Sequence, residues 1–195
     1  VRMCFIVINK LRDLIKKMGH STSVGDEGGF APMINDNESA LKLIVKAINL
    51  SGFRNGKDVV ICLDVAANEL LKNKKYSIHS KKYTNVDETI ENYLRLVQKY
   101  KIMSIEDPFG ENDWSAWTKL LNKTKNKLQI VGDDLFVTNL ERLKIGFLNI
   151  SANSILIKLN QIGTVTETLE VIKFAKLIGY KTIISHRSGD SEDTF

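Results

Sequence analysis

The stretch Lys181-Thr182-Ile183-Ile184-Ser185-His186-Arg187-Ser188-Gly189 starts as an apolar, β-branched run and stops at a cluster of polar residues. The first four residues favour a short strand because branched side chains pack well on a pleated surface. The five residues that follow bring an imidazole, a guanidinium, two hydroxyls and permissive glycine backbone to one place. Guanidinium and hydroxyl donors bind phosphate or carboxylate groups. The stretch therefore predicts a strand that ends in an anion-binding group.

The same pattern, an apolar strand with an ionisable residue at its end, occurs four more times upstream. Each interval between two such ends has room for one helix and two loops. An alternation of strands and helices predicts parallel strands, so all five polar ends should lie along the same side of the sheet. In a parallel α/β barrel that side carries the active site. The upstream strands are 59–63, 103–105, 128–132 and 154–157, and the residues at their ends are Asp64, Glu106, Asp133 and Lys158.

The length of the chain limits how complete this barrel is. A closed barrel of eight strands takes about 250 residues, whereas the chain has 195. We therefore predict an α/β fold with a single domain over residues 1–195, an incomplete TIM-type barrel with parallel strands and outer helices. Amphipathic patterns predict the first two helices over 2–18 and 37–50, and Asn37 and Asn139 as helix caps.

Charge and hydrophobicity argue against a nucleic-acid-binding or membrane-spanning protein. The chain carries 28 Lys and Arg against 23 Asp and Glu, a formal charge of +5, and its lysines are spread over polar connections. This distribution indicates a solvated surface and no nucleic-acid partner, because no recognition motif accompanies the charge. No apolar run reaches membrane-spanning length and no signal peptide is evident. Cys4 and Cys62 lie in apolar contexts, which predicts buried, reduced thiols in a cytoplasmic protein.

Three of the strand ends are carboxylates, Asp64, Glu106 and Asp133. Like charges at neighbouring strand ends repel one another unless a cation compensates them. Oxygen ligands without nearby His or Cys favour a hard divalent ion, and Mg²⁺ fits best because it keeps waters and accepts an anionic substrate. The alternative is that each acid caps a helix or pairs with a surface lysine. The adjacent Asp107 and Asp134 are interpreted as supports for the loop or for the ligands.

Two further residues are candidates for proton transfer. Lys158 ends a buried strand, where its charge is costly unless it is compensated or its pKa falls. Next to a cation in a dry pocket it can act as a general base; the alternative is a structural salt bridge to one of the aspartates. Glu27 lies on a loop with three glycines in five residues and is a candidate acid or base, the alternative being an exposed loop carboxylate.

Together these segments resemble the enolase family, phosphopyruvate hydratase, along the whole chain and in the family's order. The resemblance rests on five motifs: Gly25-Asp26-Glu27-Gly28-Gly29, Ser104-Ile105-Glu106-Asp107-Pro108-Phe109, Gly132-Asp133-Asp134-Leu135, Leu156-Ile157-Lys158-Leu159-Asn160-Gln161-Ile162-Gly163 and Ser185-His186-Arg187-Ser188-Gly189. It implies the C-terminal barrel domain of an enolase. Enolases are cytoplasmic lyases of glycolysis, usually homodimers, that convert 2-phosphoglycerate to phosphoenolpyruvate with Mg²⁺.

The resemblance also implies roles for individual residues. The magnesium ligands it implies are Asp64, Glu106 and Asp133. Lys158 matches the base that removes the proton next to the substrate carboxylate, and Glu27 matches the acid that helps the hydroxyl leave as water. Arg187 and Ser188 match the phosphate site, with His186 beside them. A lysine base combined with Mg²⁺ is a general arrangement of enolase-superfamily sites.

The chain departs from the family pattern in one helix and at both ends. The family has a glutamate in its first helix, and an ungapped count back from Gly25 puts Ile6 at that position. The family's N-terminal capping domain and the last barrel strand are expected to be absent from residues 1–195. These departures leave a second interpretation, a catalytically inactive enolase remnant that only binds metal or phosphate or serves as an interaction surface.

Overall fold

The computed structural model describes residues 1–25, 28–79, 82–125 and 127–187. The chain divides into two compact units. The first unit comprises Val1–Ile61 and Ser77–Met103, and the second comprises Cys62–Tyr76 and Ser104–Phe195. The expectation of a single domain stays a prediction.

The first unit is built mainly from helices, as the amphipathic patterns predicted. Its first helix buries Leu14 and Ile15. The second helix is capped by Asp36, whose carboxylate accepts a hydrogen bond from the Ser39 amide. The predicted cap, Asn37, was therefore one residue off. The helices are α1 (Arg2–Lys17), α2 (Asn37–Leu50) and α3 (Val86–Tyr100), and the unit also holds the short strand β4 (Lys82–Thr84).

A five-stranded sheet follows the strand order that the sequence predicted. Its strands lie side by side in chain order: β1 (Ile61–Asp64), β5 (Ile102–Glu106), β6 (Gln129–Gly132), β7 (Ser154–Ile157) and β8 (Lys181–Ile184). The β5–β6, β6–β7 and β7–β8 pairs are parallel. The parallel sheet with helices between its strands confirms the predicted α/β class.

Helices and a small hairpin fill the connections around these strands. After β1 a 3-10 turn leads into β2 (Leu71–Lys72), which pairs antiparallel with the start of β3 (Lys75–His79). The cap predicted at Asn139 is present, with its side chain accepting from the Glu141 and Arg142 amides. The helices of the second unit are α4 (Trp114–Thr124), α5 (Leu140–Leu148), α6 (Leu159–Ile162) and α7 (Val165–Leu177).

The core of the second unit lies between the sheet and these helices. Ile130 and Ile155 on the central strands are fully buried, and so is Trp117 on α4. The Trp117 indole donates to the Gly110 carbonyl at 3.1 Å, so its polar atom is satisfied in the core. Burial of side chains of this size contributes roughly 1.5–3 kcal/mol each, which fixes the positions of the strand ends.

The prediction of buried thiols was wrong. Both Cys4 and Cys62 are free and exposed. Cys62 follows the buried Ile61 on β1, and successive side chains on a strand point to opposite faces. An apolar context in the sequence does not reveal which face a short strand buries. Within the described ranges, none of the helices combines the length and apolar character needed to cross a bilayer.

Two glycines make room for the aromatic ring that follows β6. Phe136 is fully buried, and a Cβ at Gly132 or Gly146 would overlap its ring.

We expect Gly146→Ala to lower the free energy of unfolding by about 1–3 kcal/mol, because overpacking outweighs the higher helix propensity of alanine. Urea denaturation of the full-length gene product measures this change. Gly29→Ala is the control, because a Cβ at Gly29 would contact no other atom. This variant should change the free energy of unfolding by less than about 0.5 kcal/mol. An equal loss in both variants would contradict the explanation by packing.

Candidate active site at the carboxyl edge of the sheet

Four ionisable residues stand at the carboxyl ends of neighbouring strands. Asp64 closes β1 and Glu106 closes β5, while Asp133 and Lys158 directly follow β6 and β7. Because these strands are neighbours in the sheet, with the last three parallel, their carboxyl ends share one edge. The structure therefore brings together, in the second unit, the three predicted metal ligands and the predicted base.

Asp133 and Lys158 form a salt bridge at this edge. The Lys158 ammonium donates to Asp133 Oδ2, and the two side chains are only 18% and 11% exposed. The salt bridge that the sequence left open as an alternative role for Lys158 is therefore present. The other oxygen, Asp133 Oδ1, is buried and has no hydrogen-bond partner among the described residues. A buried carboxylate oxygen without a donor is costly, and a cation at this point would satisfy it.

The neighbouring carboxyl groups are electrostatically unfavourable without a cation. Burial, together with the charges of Asp64 and Asp133, raises the pKa of Glu106 to about 8. Asp64 keeps contact with solvent, yet partial desolvation and the nearby Asp133 charge raise its pKa as well. Repulsion of this kind is relieved when a positive ion binds among the carboxylates. The donor set is entirely oxygen, which suits a hard divalent cation.

Asp107 supports the site through the backbone. Its Oδ1 accepts from the Asp133 amide at 3.0 Å and its Oδ2 from the Asp134 amide at 2.8 Å. Its own carbonyl accepts from the Ala67 amide at 3.1 Å. The residue is buried and adopts a left-handed φ of 42°, a conformation that surrounding contacts must enforce. Asp107 thereby ties the ends of β1 and β5 to the residues that follow β6.

Among the described residues, one group of neighbouring acidic oxygens differs from the predicted ligand set. Ligand oxygens of Asp107, Asp133 and Asp134 lie within 4.8 Å of one another. Both oxygens of Asp107 already accept backbone hydrogen bonds, and Asp134 Oδ2 accepts from Asn68 Nδ2 at 2.9 Å. Asp133 is the one member with a buried oxygen left without a donor. These contacts agree with the interpretation of Asp107 and Asp134 as supporting residues.

The predicted anion-binding residues follow the next strand. The Ser185 amide donates to the Ile157 carbonyl at 3.0 Å, so the chain keeps its parallel course just beyond β8. His186 and Arg187 come next and are exposed. The structure thus puts both residues beyond the carboxyl end of β8. Ser188 and Glu27, the other two predicted site residues, lie outside the described residues.

Sequence reasoning missed three residues that hold this edge together. Asn68 bridges Glu111 and Asp134 with its side chain. Thr138 and Gln161 contact each other next to Lys158. The only signal in the sequence was the location of all three shortly after a predicted strand end. Which groups they contact depends on the paths of loops that carry no periodic pattern.

The raised pKa of Glu106 predicts how stability depends on pH. A carboxyl group whose pKa is higher in the folded state binds its proton more tightly there, so it stabilises the fold at low pH. This contribution is lost as pH rises from about 4.5 through about 8. We expect the urea midpoint of the metal-free, full-length gene product to fall between pH 5 and pH 8. Glu106→Gln should weaken the pH dependence, and an unchanged slope in that variant would contradict the assignment.

The site and fold define a parallel α/β protein with a carboxylate and lysine cluster at the carboxyl edge of its sheet. Comparison with known proteins gives the family. The family model described as "Enolase, C-terminal TIM barrel domain" matches residues 1–195. The chain is 75% identical over 195 residues to the enolase of Pelagibacter ubique and 50% identical over 196 residues to that of Natranaerobius thermophilus.

The chain belongs to the enolase C-terminal TIM barrel domain family. Both alignments include 100% of this chain and 46% of the relative. The chain therefore spans about half the length of the curated relatives that it matches. The sequence resemblance to enolases is confirmed.

Proposed function

We propose that this chain provides the catalytic barrel domain of an enolase that dehydrates 2-phosphoglycerate to phosphoenolpyruvate. The observation that carries the proposal is the Asp133–Lys158 pair beside Glu106 and Asp64 at one edge of the sheet. This arrangement combines a cation site with a candidate base, which are the two requirements for removing a weakly acidic proton next to a carboxylate.

Mg²⁺ is the cofactor that we assign to this edge. Asp64, Glu106 and Asp133 would hold it, with Asp133 contributing the oxygen that lacks a donor. Bound Mg²⁺ would supply positive charge that stabilises the negative charge developing on the substrate carboxylate.

Lys158 is assigned the role of general base. Asp133 offers one oxygen to the Lys158 ammonium and keeps the other available for a cation, so the two functions do not compete for one atom. This contact would hold the lysine amine beside the ion, where the substrate carboxylate would bind. The side chain is largely excluded from solvent, so bulk water does not compete for the amine.

The other proposed roles follow from the family match. Glu27 would donate the proton with which the hydroxyl leaves as water, a step that restores the proton balance of the dehydration. Arg187, Ser188 and His186 would bind the phosphate, since a guanidinium and a hydroxyl match its oxygens. A substrate without a phosphate would have no group for these donors to recognise.

One observation favours a second candidate, an inactive enolase remnant. Ile6, at the position where the family has a glutamate, lies on α1 and is half-buried. An apolar side chain neither accepts a proton nor binds a cation. The remnant hypothesis predicts binding of Mg²⁺ or inorganic phosphate without turnover.

The growth of phosphoenolpyruvate absorbance in the ultraviolet distinguishes the two candidates. The full-length gene product is mixed with 2-phosphoglycerate and Mg²⁺, with EDTA as the control. We expect turnover that requires Mg²⁺. Binding of Mg²⁺ by calorimetry without any turnover would favour the remnant and overturn the proposed activity.

A further inference from the structure

The segment Asp133–Thr138, here called the β6 loop, contacts the neighbouring Lys158 at two separate points. Asp133 begins the loop and accepts from the Lys158 ammonium. Thr138 ends the loop, and its hydroxyl accepts from the Lys158 backbone amide at 2.9 Å. One loop therefore holds both the side chain and the backbone of the same lysine.

The Thr138 hydroxyl also contacts the helix that Lys158 opens. It donates to the side-chain oxygen Gln161 Oε1 at 3.1 Å. The backbone amide of Gln161 in turn donates to the Lys158 backbone carbonyl at 3.0 Å. Lys158 precedes the single turn of α6 and makes no side-chain cap of its own, because an ammonium group cannot accept a hydrogen bond from the helix N–H groups. The hydroxyl of Thr138 instead fixes the start of that helix through its contacts with the Lys158 amide and the Gln161 side chain.

The backbone of the β6 loop is unusual at this point. Val137 and Thr138 have φ angles of 44° and 53°, a left-handed conformation that β-branched residues rarely adopt. Hydrogen bonds from the Phe136 and Val137 amides to the Asp133 carbonyl, at 3.1 and 2.7 Å, close the turn. Such a conformation persists only where the surroundings enforce it, and it occurs often at functional sites. Here it turns the fully buried Thr138 hydroxyl toward Lys158.

From these contacts we infer that Thr138 is a positioning residue, which aims the amine of Lys158 by fixing its backbone. The inference rests on the proposed function, because it assigns Lys158 the proton transfer. Without the hydroxyl, the partly buried backbone amide of Lys158 loses its acceptor. The start of α6 then shifts to find another partner, and the lysine moves with it. A misplacement of about 1 Å at the reacting group can cost a hundredfold in rate.

Thr138→Val in the full-length gene product removes the hydroxyl and keeps the shape of the side chain. We expect kcat for 2-phosphoglycerate to fall about ten- to a hundredfold, while KM changes less than about threefold. Exchange of the proton next to the substrate carboxylate with deuterated water should slow to the same extent as kcat. Thr138→Ser, which restores the hydroxyl, should recover kcat to within about threefold of the wild type.

Thr168→Val is the matched control. Thr168 is also buried in the second unit, and its hydroxyl donates to the Thr164 carbonyl within α7. A merely structural role for Thr138 predicts similar urea midpoints and similar kcat in the two valine variants. That result, or a serine variant as slow as the valine variant, would overturn the inference.

Amide hydrogen exchange separates this inference from the proposed function. Exchange at the Lys158 amide should be slow in the wild type and Thr168→Val, and fast in Thr138→Val. If the wild type makes no phosphoenolpyruvate, the proposed function fails. Hydrogen exchange at the Lys158 backbone amide then still tests whether the Thr138 hydroxyl holds that amide. A Lys158 amide that exchanges equally in both valine variants would show that the hydroxyl does not hold it.

Discussion

Lys158→Met is expected to lower kcat for phosphoenolpyruvate formation by about 10²–10⁴-fold, the range typical of a lost general base. Methionine keeps the length and most of the apolar stem of lysine but cannot take up a proton. Steady-state assays on the full-length gene product measure this loss. Exchange of the proton next to the substrate carboxylate should fall in parallel, because it reports the same step.

Lys144→Met is the matched control for this prediction. Lys144 pairs with Glu141 on the exposed surface of α5, and its loss should leave kcat within about twofold, as expected for an exposed pair. Removal of Lys158 also takes away the partner of the buried Asp133 carboxylate, so the urea midpoint of each variant is measured first. A Lys158→Met variant that is folded and keeps the wild-type kcat would exclude Lys158 as the base.

Asp133→Asn is expected to weaken Mg²⁺ binding at least about a hundredfold. Loss of a residue that only hydrogen-bonds to a metal ligand already weakens binding about 10–100-fold, and Asp133 is itself a proposed ligand. The amide loses the negative charge and replaces one of the two carboxylate oxygens with a donor. Isothermal titration calorimetry of the full-length gene product at pH 8 measures the dissociation constant. This pH is chosen because the pKa of Glu106 is raised to about 8, and protonation competes with metal binding below it.

Asp58→Asn provides the control for charge removal. Asp58 forms an exposed salt bridge with Arg54 in the first unit, so its loss changes the net charge by the same amount without touching the strand ends. Mg²⁺ affinity should stay within about twofold, because Arg54 already compensates the Asp58 charge and salt screens exposed charges. Equal weakening in the two variants would mean that the ion responds to overall charge and not to Asp133.

The sequence was sufficient to predict the parallel sheet and its polar edge. Each strand is a short apolar run that stops at an ionisable residue, and the chain order alone places neighbouring strands side by side. Asp64 and Lys158 could be assigned to the same edge for this reason. The cap at Asn139 was also predictable, because an amide side chain stood directly before an apolar helical pattern.

Features that depend on local geometry were not predictable in the same way. At the start of α2 two adjacent polar residues could serve as caps, and the side chain that reaches the Ser39 amide belongs to Asp36. The exposure of Cys62 depends on which face of a short strand is buried. The contact of Thr138 with Lys158 requires a left-handed backbone that the residue type disfavours.

Carboxylates from three successive strand ends are expected to share one cation. Crystals of the full-length gene product grown with Mn²⁺, which takes the same oxygen ligands as Mg²⁺, would give an anomalous signal at the ion. We expect one peak at the carboxyl edge of the sheet, coordinated by Asp64, Glu106 and Asp133. A peak bound by Asp107 and Asp134 without Asp64 and Glu106, or no peak at this edge, would contradict it.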